Sequence, residues 1–210
     1  MDRHNKIICL LGGAGSGKDT VRGKFMIHWN SQLNEAISYT TRPMRASENG
    51  SEYYFIDKNT FSSMYESGMF AETRTYKVIG DEPGTYDTWY YGYTTEELDR
   101  MLKIGNVLLI IDLDGFKEIK SIYHENCIGF YLDVTRDERL RRYINRDNIN
   151  WKNVTEAIRR IEDDDNRAFK GYEDWVDYEI KAENSQDMYN EILNKLLDDG
   201  ILKQLDVEKI

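Results

Sequence analysis

Apolar residues fall in short blocks along this chain, and polar stretches with helical spacing separate the blocks. Residues 6–11 (KIICLL), 34–39, 53–56, 69–74, 128–132 and 178–180 each read as a strand. The run at 106–111 (NVLLII), which ends on Asp112, is the most strongly apolar and predicts a strand buried on both faces. Helical patterns follow most of these runs, at 58–65, 94–104, 116–123, 138–146, 154–169 and 187–202. Asp57 and Thr94 stand where helix caps belong. In the last helix Met188, Ile192, Leu193, Leu196 and Leu197 form one apolar face, which predicts cover for a core. Strands alternating with helices imply a mainly parallel sheet covered on both sides. The region 40–93 breaks that alternation with short strands, a polar loop at 40–52 and a turn-rich segment at 77–89 that reads as a long hairpin or loop. It predicts an inserted lobe within a single α/β domain.

Composition narrows the picture only a little. With 210 residues, 31% of them charged and 40% hydrophobic, the chain is long enough for one sizeable core. No apolar run reaches the length of a membrane span, and the start MDRHNKIICLLGG carries no secretion pattern, so the expectation is a cytoplasmic protein without a membrane partner. There are 28 Lys and Arg against 38 Asp and Glu, a net charge of −10, which argues against a nucleic-acid-binding role. A single nucleotide needs only a few local cations. Cys9 and Cys127 lie in or beside apolar runs and read as core residues, and the three histidines have no zinc spacing.

The candidate chemistry begins after the first strand. Gly12-Gly13-Ala14-Gly15-Ser16-Gly17-Lys18 completes the pattern G-x-x-x-x-G-K between a strand and a helix, the context this motif needs. Glycines let successive N–H groups turn inward as an anion nest, the helix N-terminus adds partial positive charge, and Lys18 adds a full one. Asp19 stands where a metal-binding hydroxyl usually follows the lysine, and Thr20 offers a hydroxyl one place later. A second cationic cluster lies at 38–45 (SYTTRPMR). Arg42 and Arg45 with a tyrosine hydroxyl can clamp one phosphate. Taken alone, the segment reads equally well as a solvated basic loop.

The whole stretch SYTTRPMRASENGSEYYF, with GGAGSGKDT, GMFAE, YYG, IIDLDG and the arginines at 142, 146 and 160, resembles the guanylate kinase family along nearly the full chain. The resemblance implies a P-loop kinase fold: a core at about 1–37, 94–136 and 170–210, a monophosphate-binding lobe at about 38–93, and a helical lid at about 137–169. It implies transfer of a phosphoryl group from ATP to GMP or dGMP. Gly12 to Thr20 and Arg142 would hold ATP with Mg²⁺, the metal meeting Thr20 or Asp19. Arg42, Arg45, Tyr53 and Tyr91 would hold the acceptor phosphate. Ser38 and Glu72 would read the base, since one carboxylate can accept both N1–H and N2–H of guanine, and Asp112 would lie near acceptor and metal. Lys18, Arg42, Arg146 and Arg160 would neutralise charge during transfer, the last two from a lid closing over ATP.

Three departures from the family pattern bear on substrate. Tyr93 replaces a serine that contacts guanine, the 77–89 segment is about ten residues longer than its counterpart, and Ile110 stands where the family often has an aspartate. They leave room for altered base specificity. The other alternative is a non-catalytic interaction module, but such modules typically lose the loop lysine and lid arginines that this chain retains, and no adaptor-type domain flanks it. The expected partners are ATP and a nucleoside monophosphate, with the protein a monomer or homodimer.

Overall fold

The computed structural model describes residues 5–45, 48–50, 53–80, 85–145, 151–182 and 184–204. Its centre is a five-stranded parallel sheet built from β1 (Ile7–Leu11), β2 (Leu33–Glu35), β7 (Asn106–Ile110), β8 (Cys127–Leu132) and β9 (Tyr178–Ile180), in the order β2-β7-β1-β8-β9. Alternation along β1 sends Ile8 and Leu10 to one face, where α1 (Lys18–Trp29) and α7 (Ser185–Asp198) supply Val21, Phe25, Met188, Ile192 and Leu196. Ile7, Cys9 and Leu11 go to the other face, against Leu98 of α3 (Thr95–Leu102) and Phe116 and Ile119 of α4 (Leu113–Tyr123). Cys9 and Cys127 are free thiols in this second layer, with Sγ atoms 3.8 Å apart. With both faces covered, β1 is wholly buried, which is why it reads as an unbroken apolar run.

A second, four-stranded sheet has the order β4-β3-β6-β5: β3 (Tyr39–Thr40), β4 (Tyr54–Phe55), β5 (Phe70–Ile79) and β6 (Tyr86–Thr94). Here the structure departs from the sequence pattern. The apolar block at 34–39 is not one strand. Residues 33–35 join the large sheet, and the chain then turns to deliver Tyr39 and Thr40 to the small one. Within the 77–89 segment, expected as a long hairpin or loop, the described ends are a hairpin: the β5–β6 ladder continues through Lys77↔Thr88 and Val78↔Asp87 to Ile79↔Tyr86. Helix α2 (Lys58–Glu66) starts on Asp57, whose carboxylate accepts from Asn59 and Thr60 N–H.

Two further helices, α5 (Arg136–Ile144) and α6 (Trp151–Asp163), pack against each other. The single helix expected over 154–169 ends as an α-helix at Asp163 and widens into a π turn over Asp164–Ala168, closed by Phe169 N–H donating to Asp164 O at 3.1 Å. The turn seats Phe169 in the core, and such turns recur at functional sites. Among the described residues no helix is long and apolar enough to cross a membrane.

Candidate active site

Parallel pairing sets the site. Leu10 of β1 lies opposite Ile110 of β7, so the chain leaving each strand emerges at the same sheet edge, where ligands of such sheets bind. The glycine loop follows β1, with Gly15 and Gly17 at φ of 84° and 99°, values that favour glycine. Gly13 is needed for close approach: a Cβ there would collide with a guanidinium nitrogen of Arg139. Lys18 begins α1 and folds back, its ammonium donating to Gly12 O and, at 3.1 Å, to Gly13 O. Burial pushes its pKa down to about 8, a fall opposed first by Asp164 and then by Asp19.

The nest is already engaged. Ala14 N–H donates to Oδ2 of Asp164, the first residue of the π turn, at 2.6 Å. Burial raises the Asp164 pKa. Arg139, 5% exposed, lies over the loop with Nη1 at 3.7 Å from that carboxylate and Nη2 bonded to Asp165. Arg139 Nε and Nη1 are buried and have no hydrogen-bond partner among the described residues. One helical turn on, Arg142 donates to Gly15 O at 3.2 Å and Ser16 O at 3.0 Å, gripping the loop backbone, while Arg141 turns outward to Glu138. Asp19 is not brought to the loop: its side chain is 84% exposed beside Arg22. Thr20 is exposed as well.

The acceptor side is built of side chains. Arg42, 4% exposed, donates to both oxygens of Glu48 at 2.6 and 3.1 Å and to Pro43 O at 2.8 Å. It lies near the rings of Tyr53 and Phe55, and Tyr53 meets Tyr91 edge-on at 5.8 Å. Arg45 contributes its backbone N–H to Glu48, and its residue surface is exposed. Ser38 is buried, its carbonyl accepting from Tyr54 N–H.

Glu72 is sealed: Oε1 accepts Tyr93 N–H at 3.0 Å, and Oε2 lies 3.1 Å from Arg74 Nε and close against Gly115. Burial pushes the Glu72 carboxyl up to about 7 against the pull of Arg74. Tyr93 therefore reaches Glu72 through its backbone, while its ring is part of the core and lies 5.3 Å from the Arg74 guanidinium.

Asp112 stands between the two sides. It caps α4 through Gly115 N–H and accepts from Tyr76 OH at 3.2 Å, while Arg74 reaches across to Ile110 O at 3.2 Å. Its charge also acts on Lys18. On α6, Arg160 is tied to Glu156 at 3.0 Å, and Arg159 donates to Lys77 O of β5. Arg146 lies outside the described residues. Asn184 serves as the cap of α7.

Sequence reasoning passed over Arg139, Asp164 and Arg74. Two signals pointed to them: Arg139 and Arg142 are three apart on one helix face, and Glu72 and Arg74 are two apart on one strand face.

Comparison with known proteins bears on the chain as a whole. A sequence profile described as Guanylate kinase matches residues 4–199. A protein named guanylate kinase from Mycoplasma genitalium is 27% identical over 150 residues, 70% of this chain and 58% of that protein, so the match spans little more than half of its length. One of the same name from Thermus thermophilus is 30% identical over 159 residues, 75% of this chain and 67% of its own. The crystal structure of guanylate kinase from Anaplasma phagocytophilum superposes with a TM-score of 0.62 over 97% of this chain and 90% of that one, at 21% identity, a likeness of fold.

Proposed function

Because this chain belongs to the guanylate kinase family, we propose that it transfers the terminal phosphoryl group of ATP to the phosphate of GMP or dGMP, releasing ADP and GDP or dGDP. The observation that carries the reading is the placement of Asp112. It follows β7 at the sheet edge where the glycine loop follows β1, and Tyr76 of the small sheet donates to it there at 3.2 Å, so the two anion sites meet at one edge. Phosphoryl transfer asks for little else: two nucleotides held in line, with charge neutralised between them.

In this reading the loop from Gly12 to Thr20 takes the ATP phosphates on its N–H groups, and Lys18 swings from its own loop carbonyls to the transferring phosphoryl group. Arg142 holds the loop in shape. The small sheet is the monophosphate lobe (38–93): Arg42, Arg45, Tyr53 and Tyr91 receive the acceptor phosphate, and Ser38, Glu72, Tyr93 and Asp112 surround the base. Helices α5 and α6 form the lid (137–169), with Arg146 and Arg160 closing on the phosphates and excluding water. Magnesium bound with ATP neutralises phosphate oxygens, and such an ion needs only one or two protein oxygens. Thr20, exposed in the first turn of α1, fits that demand, and Asp19, turned towards Arg22, does not. The net charge of −10 argues against a nucleic-acid partner, and the reading is of a cytoplasmic monomer or homodimer.

The test is ADP release measured with ATP, magnesium and a panel of monophosphates. Turnover with GMP and dGMP is expected. Silence with every monophosphate would end the kinase reading, and turnover confined to another base would move the acceptor assignment to the corner formed by Arg74 and Tyr93.

A further inference from the structure

We propose that Asp164 is a built-in occupant of the donor phosphate seat, and that ATP displaces it and takes over Arg139 as an additional phosphate ligand. This rests on the reading of the glycine loop as the ATP site.

Three independent contacts converge. The carboxylate of Asp164 accepts the Ala14 N–H at 2.6 Å, the kind of donor the nest presents to phosphate oxygen. Arg139 lies so close to Gly13 that no Cβ could stand between them. Two of its nitrogens are buried without a hydrogen-bond partner among the described residues, although the Asp164 carboxylate is 3.7 Å away. A guanidinium in that state has donors to spare, and it stands against Gly13 of the loop. Buried donors left unmade are costly, so their presence at an anion site points to a ligand that completes them.

The exchange puts one anion in the place of another: a carboxylate leaves the seat, and an ATP phosphate chain brings more charge and more oxygens. When Asp164 leaves, Asp165 stays bonded to Arg139 Nη2 and keeps the guanidinium oriented. The seat is vacated by rotation of the Asp164 side chain alone, so the π turn at the end of α6, which also carries Asp165, keeps its place. Lys18 has the same character: its ammonium bonds loop carbonyls until a phosphate offers better acceptors. With an occupant of this kind the apparent Kd for nucleotide is the intrinsic Kd divided by the fraction of time the seat is empty.

Calorimetric titration of the full chain with ADP, with inorganic pyrophosphate and with GMP tests this. Asp164→Asn is expected to bind ADP and pyrophosphate about tenfold more tightly than the parent, with GMP unchanged, because only the donor seat has been freed. Arg139→Met is expected to weaken ADP and pyrophosphate about tenfold, again without change for GMP. Should Arg139→Met fail to fold, Asp164→Asn and Asp164→Ala leave every arginine in place and decide the matter. ADP affinity within twofold of the parent in both Asp164 variants, or weaker, would overturn the proposal while leaving the kinase reading intact. A parent protein that binds neither ADP nor pyrophosphate would overturn both.

Discussion

The donor seat and the acceptor corner solve one problem, holding an anion inside a protein, by different means. The donor seat is made of backbone. Its N–H groups come with the fold; of its added charges, Lys18 is held by loop carbonyls, and Arg139 keeps two buried nitrogens without a hydrogen-bond partner among the described residues. The acceptor corner is made of side chains in pairs: Arg42 with Glu48, and Glu72 with Arg74 at 3.1 Å, a contact of charge in which Glu72 Oε2 and Arg74 Nε make no well-aligned hydrogen bond. Backbone donors can wait for a ligand at small cost to the fold. A buried ion pair that loses one partner is a different case, since the uncompensated charge left in the interior is strongly destabilising. The acceptor corner is therefore part of what holds the small sheet to α4 and to β7, through Glu72 against Gly115 and Arg74 on Ile110 O, whereas the donor seat adds function with little stability.

The sharpest break in that comparison is a pair of substitutions. Lys18→Ala is expected to lower kcat by about 10²–10³-fold, the loss seen when one charge-stabilising donor is removed, with thermal stability unchanged. Burial already disfavours the charged form of Lys18, so removing it costs the fold nothing. Arg74→Ala should do the reverse of this on stability, lowering it by about 3–5 kcal/mol because Glu72 is left buried without its partner. Denaturant unfolding measures both. The double change Glu72→Ala with Arg74→Ala should recover part of that loss; a double variant as unstable as the sum of the singles would mean the two charges do not compensate each other.

A smaller effect sharpens the donor side. With the Lys18 pKa near 8, kcat/KM for ATP should fall above pH about 8, approaching tenfold per unit, as the ammonium loses its proton. The sign is fixed by the group: a lysine whose folded pKa is depressed is charged below that value and neutral above it. Asp164 holds the value up, so Asp164→Asn should move the alkaline limb to lower pH even as it tightens binding at pH 7. A pH profile that keeps the same limb in the variant would show that the carboxylate does not act on Lys18.

How far these features could be read from the chain follows from their range. The strands of the large sheet were legible because strands buried on both faces are continuous apolar runs, as in 7–11 and 106–110. The glycine loop was legible because its chemistry is contiguous. The 34–39 block misled because two short strands serving different sheets abut, and hydrophobic pattern carries no mark of the change of sheet. Arg139 and Asp165 are 26 positions apart, and Asp164 and Ala14 are 150 apart, so nothing local joins them. The triplet Asp163-Asp164-Asp165 was visible, but a run of acids on a charged helix reads as a solvated face until the π turn directs one of them inward. Arg74 was the avoidable omission, since strand alternation places it on the same face as Glu72.

The smallest expected effect concerns the departure that first set this loop apart from its relatives. Asp19 follows the lysine, where a metal-binding hydroxyl usually stands. Its side chain is 84% exposed and lies 3.7 Å from Arg22, on the outer side of the first turn of α1. A carboxylate there interacts favourably with the helix N-terminus, and its partner is Arg22. Asp19→Ser should therefore change the magnesium dependence of turnover, and the KM for ATP, by no more than about twofold, in keeping with the modest size of exposed charge interactions. A shift of about tenfold in the magnesium requirement would bring Asp19 into the donor seat when nucleotide binds. In that case the backbone seat, like the acceptor corner, would depend on an ionised side chain, and the contrast between the two sites would narrow to Arg74.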